Sequence, residues 1–134
     1  MAGWWPEPAA GDIVWCHFPD NITPHPKPRP ALIVTVFDDD APEFVVEVAY
    51  GTSQKTTSLH RGEFGIYRVQ NPIAYKIAGL SYDTKFNLAQ TVELPFSSDW
   101  FSVPPGSLTQ EPRLGVLHPS LMRALEAAYR AAHS

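Results

Sequence analysis

The 134-residue chain has one cysteine, Cys16, so it can close no disulfide within itself. It has no apolar run near the roughly 20 residues that a membrane-spanning helix needs. The start, Met1 to Pro6, lacks the basic and apolar segments of a secretory signal, so the expectation is a cytoplasmic protein with no membrane contact. No glycine-rich phosphate loop occurs. His25, His60, His118 and His133 show no ligand spacing, and Cys16 and His17 would point to opposite faces of a strand. No metal and no cofactor is therefore expected. No segment repeats and none is of low complexity. Positive charge is also scarce. Ten Lys and Arg against 14 Asp and Glu leave a net charge of −4, which argues against a strongly basic nucleic-acid binder.

What is present is proline, hydrophobics and a lopsided charge distribution. Fourteen prolines rule out long helices through most of the chain. A hydrophobic content of 44% is enough for one buried core at this length. The expected organisation is a loose Pro/Ala-rich arm at 1–10 and a single domain at 11–134. Between Thr52 and Thr91, Lys55, Arg61, Arg68, Lys76 and Lys85 outnumber Glu63 and Asp83, with Lys27 and Arg29 just upstream. The acids gather at Asp38-Asp39-Asp40, Glu43 and Glu47. One face of an acidic protein could therefore be positive, or the surface could simply be mixed.

Short apolar or β-branched runs read as strands at 13–18, 31–37 and 44–50. The last two form a hairpin across the Asp38–Pro42 turn. Further strands are expected at 64–69 and 88–96, while 70–83 is ambiguous. Residues 19–30, with five prolines, read as an exposed loop. After Pro119, the residues Leu121, Ala124, Leu125, Ala128 and Ala132 fall on one face at helical spacing, which predicts a C-terminal amphipathic helix. The fold class is mainly β: a small, strongly bent antiparallel sheet or SH3-like barrel with that helix.

Arg29 lies between Pro28 and Pro30 at the mouth of a buried strand. Flanking prolines stiffen the backbone, and a guanidinium offers a planar donor fork that matches phosphate oxygens. It could equally pair with a structural acid. Thr52 and Ser53 follow Gly51, with Gln54 and Lys55 beside them. Such hydroxyls commonly bind backbone groups in turns, yet the cluster also offers hydroxyl, amide and ammonium donors to a phosphate. Trp4, Trp5, Trp15 and Trp100 could stack on bases or serve the core.

Gly11-Asp12 before a strand, Arg29-Pro30-Ala31 before an aliphatic strand, and Thr52-Ser53-Gln54 after the next strand resemble, in order and separation, the MazF/PemK family of toxins. The resemblance covers roughly a third of the chain. It implies an SH3-like barrel, a homodimer, and metal-independent cleavage of single-stranded RNA at short sequences through a 2′,3′-cyclic phosphate. It also implies a cognate antitoxin as partner. It assigns the scissile phosphate to Arg29 and Thr52 as catalytic residues, supported by Ser53, Gln54 and His25. His25 and His60 are the candidates for the general base. Lys27, Lys55, Lys85 and Phe86 are expected to contact RNA, Lys85 on the backbone and Phe86 or Asn87 on a base. The region from Leu80 to Phe101 departs from the family pattern. The alternative is a catalytically silent barrel of the MazF or gyrase-inhibitor type that acts by binding a protein or nucleic acid.

Overall fold

A computed structural model describes residues 5–19 and 27–133. Six strands form one antiparallel sheet: β1 (Asp12–Cys16), β2 (Arg29–Phe37), β3 (Val45–Thr52), β4 (Glu63–Ile66), β5 (Thr84–Pro95) and β6 (Arg113–Val116). Helix α1 (Pro72–Ile77) lies between β4 and β5. A short 3-10 helix, Pro119–Leu121, leads into α2 (Met122–Ala132). The sheet order is β4-β5-β3-β2-β1-β6, a strongly bent half-barrel of the expected mainly-β class.

The bend follows from β5. Its first part pairs with both β4 and the end of β3, and its second part with the start of β3. The register jumps from Ala49↔Thr91 to Tyr50↔Asn87, so three residues of β5 bulge between the two parts. A bulge raises local twist and curves the sheet. Curvature gives the sheet two buried faces. One holds Ile13, Leu32, Ala49, Phe64, Ile66, Phe86 and Leu88, and α1 and α2 cover it. The other holds Val14, Cys16, Ile33, Val46, Val48, Leu94 and Phe101.

Several expectations are corrected here. Arg29 and Pro30, read as loop, begin β2, because they pair with Cys16 and Trp15 of β1. Strand β5 starts at Thr84, four residues before the expected 88. Its polar Lys85 and Asn87 broke the apolar pattern, although Lys85 is buried. Strand β6 was not foreseen; it is four residues long and pairs only with β1. Helix α1 occupies part of the ambiguous stretch. The packed stripe is Leu121, at the end of the 3-10 helix, with Leu125, Ala128 and Ala132 of α2, while Ala124 is exposed. The arm is not loose where it is described. Pro8 is buried, Ala9 N–H donates to Asp12 Oδ2 at 2.9 Å, and the Trp5 ring meets Phe96 edge-on at 5.6 Å.

Candidate active site

Three strand ends meet at one end of the sheet. Cys16, at the end of β1, pairs with Arg29 at the start of β2. Ala31 of β2 pairs with Tyr50 of β3. Arg29 lies two residues before Ala31, and Thr52 two residues after Tyr50. The β2–β3 pairing ends at Ala31 and Tyr50, so Arg29 and Thr52 lie just beyond it at the same end of the sheet; of the two, Arg29 lines the cleft there and Thr52 does not. The residue between explains how the strands come so close. A β-carbon on Gly51 would lie 2.5 Å from the Pro30 carbonyl oxygen and 2.9 Å from Phe86 Cε1. Only glycine passes between them.

Beside these ends is a cleft of about 220 Å3. Its lining includes Arg29, Pro28, Pro30, Trp15, Ser53 and Tyr82. Arg29 is the one charged side chain among the described residues that line it. It is half-buried, so its charge faces a partly desolvated space, where a phosphate contact is stronger than in bulk water. Ser53 is exposed on the cleft side. Thr52 is half-buried, and its Oγ1 accepts from the Gln54 N–H at 3.2 Å, the local turn contact that short hydroxyls favour. Gln54 and Lys55 are exposed in the following turn, and Lys27 is exposed ahead of Arg29. His25 lies outside the described residues. His60 is exposed, and its backbone N–H donates to Glu63 Oε1 at 2.6 Å.

The structure removes two residues from the expected RNA-contacting set. Lys85 is 5% exposed. Its Nζ donates to the Ser58 carbonyl at 3.0 Å and to Glu63 Oε1 at 3.1 Å. Burial alone would push the Glu63 carboxyl up; bonds from the His60 N–H and the Lys85 ammonium, with their charges, bring it below its ordinary value. Phe86 is fully buried, and its ring lies 5.8 Å from that of Phe64. Neither side chain can reach a surface ligand. Lys85 instead ties β5 to the loop that carries Ser53, Gln54 and Lys55. Arg61 is similarly engaged, donating from Nε to the Ala131 carbonyl at 2.7 Å.

Cys16 offers no nucleophile. It is fully buried, and burial pushes its thiol up to about 12, so it stays protonated. His17 was passed over as a metal ligand, and alternation does separate it from Cys16. Its Nε2 instead lies 3.0 Å from Ser102 Oγ, tying β1 to a later segment. Among the described residues no three His, Cys, Asp or Glu side chains gather in one place, and no helix is long and apolar enough to cross a membrane.

No family model and no curated protein matches the sequence. Solved structures do match in shape. The Mycobacterium tuberculosis toxin MazF-mt6 superposes with a TM-score of 0.59 over 91% of this chain and 95% of its own, at 21% identity. An endoribonuclease in complex with its cognate antitoxin, from a mycobacterial species, reaches 0.60 over 94% of each chain, at 17% identity. A second mycobacterial endoribonuclease reaches 0.57 over 97% of this chain and 94% of its own, at 15% identity. The chain has the MazF fold. The match runs across nearly the whole length, well beyond the Gly11-to-Gln54 motifs. It takes in β5, which lies in the Leu80–Phe101 region outside those motifs, as well as β6 and α2. The MazF fold here leaves the cleft at the Arg29 end of the sheet.

Proposed function

We propose that this protein is the toxin of a toxin–antitoxin pair and cleaves single-stranded RNA at the Arg29 cleft. The observation that supports the reading is that Arg29 and Ser53 line one cleft, which holds no acid among its described residues, on a MazF-type scaffold. RNA can supply its own nucleophile. The 2′-oxygen attacks phosphorus, a P–O2′ bond forms and the P–O5′ bond breaks. One proton leaves the 2′-hydroxyl and one arrives on the departing 5′-oxygen, which leaves a 2′,3′-cyclic phosphate and a 5′-hydroxyl. The protein must hold the phosphate in line and stabilise its added negative charge. Arg29 does this electrostatically with its donor fork. The hydroxyls at 52 and 53 donate to phosphate oxygens. Lys27 and Lys55 attract the flanking backbone.

The reading includes a homodimer in the cytoplasm and an antitoxin that covers the cleft. The test is incubation of purified protein with an unstructured RNA in excess EDTA. Cutting is expected to continue, with cyclic-phosphate ends, and Arg29→Ala is expected to slow it by about 100- to 1,000-fold, the effect of removing one oxyanion-type donor. Light scattering should give the mass of two chains. Cutting that stops in EDTA ends the metal-independent mechanism. Full activity in Arg29→Ala removes the cleft from the chemistry, and no RNA cutting or binding under any condition returns the protein to the class of silent binding modules.

A further inference from the structure

We infer that Tyr82 is the stacking platform for an unpaired nucleobase next to the phosphate held by Arg29, so that it favours single-stranded over paired RNA at the cleft. The inference rests on the RNA-cleaving reading of the cleft. Its starting point is an exposed ring without a structural reason to be exposed. Tyr82 is 72% accessible, yet it lines the same cleft as Arg29, Ser53 and Trp15. An aromatic side chain in water beside a phosphate-matching cation is the combination single-stranded RNA requires, because every base presents a flat face whatever its sequence.

The ring is presented by a firmly held segment. Gly79 has φ +72°, and a β-carbon there would lie 2.1 Å from the Leu114 carbonyl oxygen, so α1 turns tightly against β6 at this point. Leu80 is then buried in the core. The Tyr82 carbonyl accepts from Thr84 Oγ1 at 2.8 Å, and Asp83 Oδ1 accepts from the Arg68 N–H at 2.8 Å. Tyr82 is thus bracketed by a core anchor on one side and two hydrogen bonds on the other. A backbone held by such contacts leaves only the side chain to be ordered when a base stacks on it. Trp15, half-buried, supplies further aromatic lining to the cleft, and Pro28 and Pro30 make it apolar. The cleft therefore offers an apolar, aromatic compartment for a base and a cation for its phosphate. Phe86, expected in this role, is sealed in the core four residues further on.

The experiment takes one short RNA that the wild-type protein cuts and replaces single nucleotides around the cut with abasic ones. Tyr82→Ala is expected to raise KM about 5- to 150-fold, the range found for one base stacked on an aromatic ring. The turnover number should change little, and Tyr82→Phe should behave as wild type because the face of the ring is retained. One abasic position should weaken the wild type by the same factor and leave Tyr82→Ala unaffected. Melting curves of the Tyr82 variants should overlay the wild type, since the ring is exposed. Unchanged KM in Tyr82→Ala, or abasic losses equal in both proteins, overturns the inference while cutting by the wild type keeps the endoribonuclease reading. Absence of any cutting by the wild type overturns both.

Discussion

The last residues of β3 run between two neighbours that treat their cations in opposite ways. On the β2 side, Arg29 is half-buried and lines an open cleft that contains no acid among its described residues. On the β5 side, Thr52 pairs with Lys85, whose ammonium is sealed between Glu63 and the Ser58 carbonyl. Gly51 and Phe86 are paired in the same way, and the ring is fully buried. One strand, β3, thus separates a charge available to a ligand from a charge available only to the fold. A cation in a promising stretch says little about recognition until its partners are known. A buried ammonium must be paired, whereas a cation on a cleft need not be.

Removing the buried partner should have the largest effect. Lys85→Met leaves the half-buried Glu63 carboxylate with only the His60 N–H, and a loss of about 3 kcal/mol is expected in chemical denaturation. The double variant Lys85→Met, Glu63→Gln should recover a large part of it. A Lys85→Met protein that melts like wild type but binds RNA less well would break the contrast between the two sides. On the open side, Thr52→Val and Ser53→Ala should each slow RNA cutting by about 10-fold or more, the loss of one hydrogen bond to a charged group. Melting should barely change. The double variant should be slower than either, and a pair of variants as fast as wild type would leave Arg29 alone with the phosphate.

The smallest effect is in acid. The Glu63 carboxyl is held below its ordinary value of 4.5 in the folded protein. A depressed carboxyl adds stability above its unfolded value and loses it as pH falls through the folded one. Melting temperature should therefore fall below about pH 4.5, more steeply in wild type than in Glu63→Gln. Identical acid profiles would show that the Glu63–Lys85 pair is not what the acid disrupts.

The motifs legible in the chain were those set by local chemistry. Arg29-Pro30-Ala31 announces both a strand entry and a presented guanidinium, since the prolines restrict the backbone wherever they stand. The Asp38–Pro42 turn and the apolar runs either side of it define the β2–β3 hairpin, and hairpin pairing is local. The C-terminal helix follows from helical spacing, which places Leu121, Leu125, Ala128 and Ala132 on the packed face but also Ala124, which is exposed. The burial of Lys85 and Phe86 is not legible in the chain because a cation beside an aromatic ring looks the same on a surface and in a core. The role of Tyr82 is not legible in the chain because nothing local distinguishes an exposed tyrosine from a buried one. Strand β6 left little trace, being four residues long and dependent on β1 for its pairing.

By itself, then, the sequence determined a bent, mainly-β domain and the hydroxyl and guanidinium groups at its strand ends, because turn chemistry, proline geometry and periodicity act over a few residues. The tertiary structure decided which charged and aromatic groups remain available. The Lys85–Glu63 contact spans 22 positions. The cleft draws on segments as distant as Trp15, Arg29, Ser53, Tyr82 and Leu114. Burial depends on what the rest of the chain brings to a side chain, and at such separations only the folded sheet specifies it.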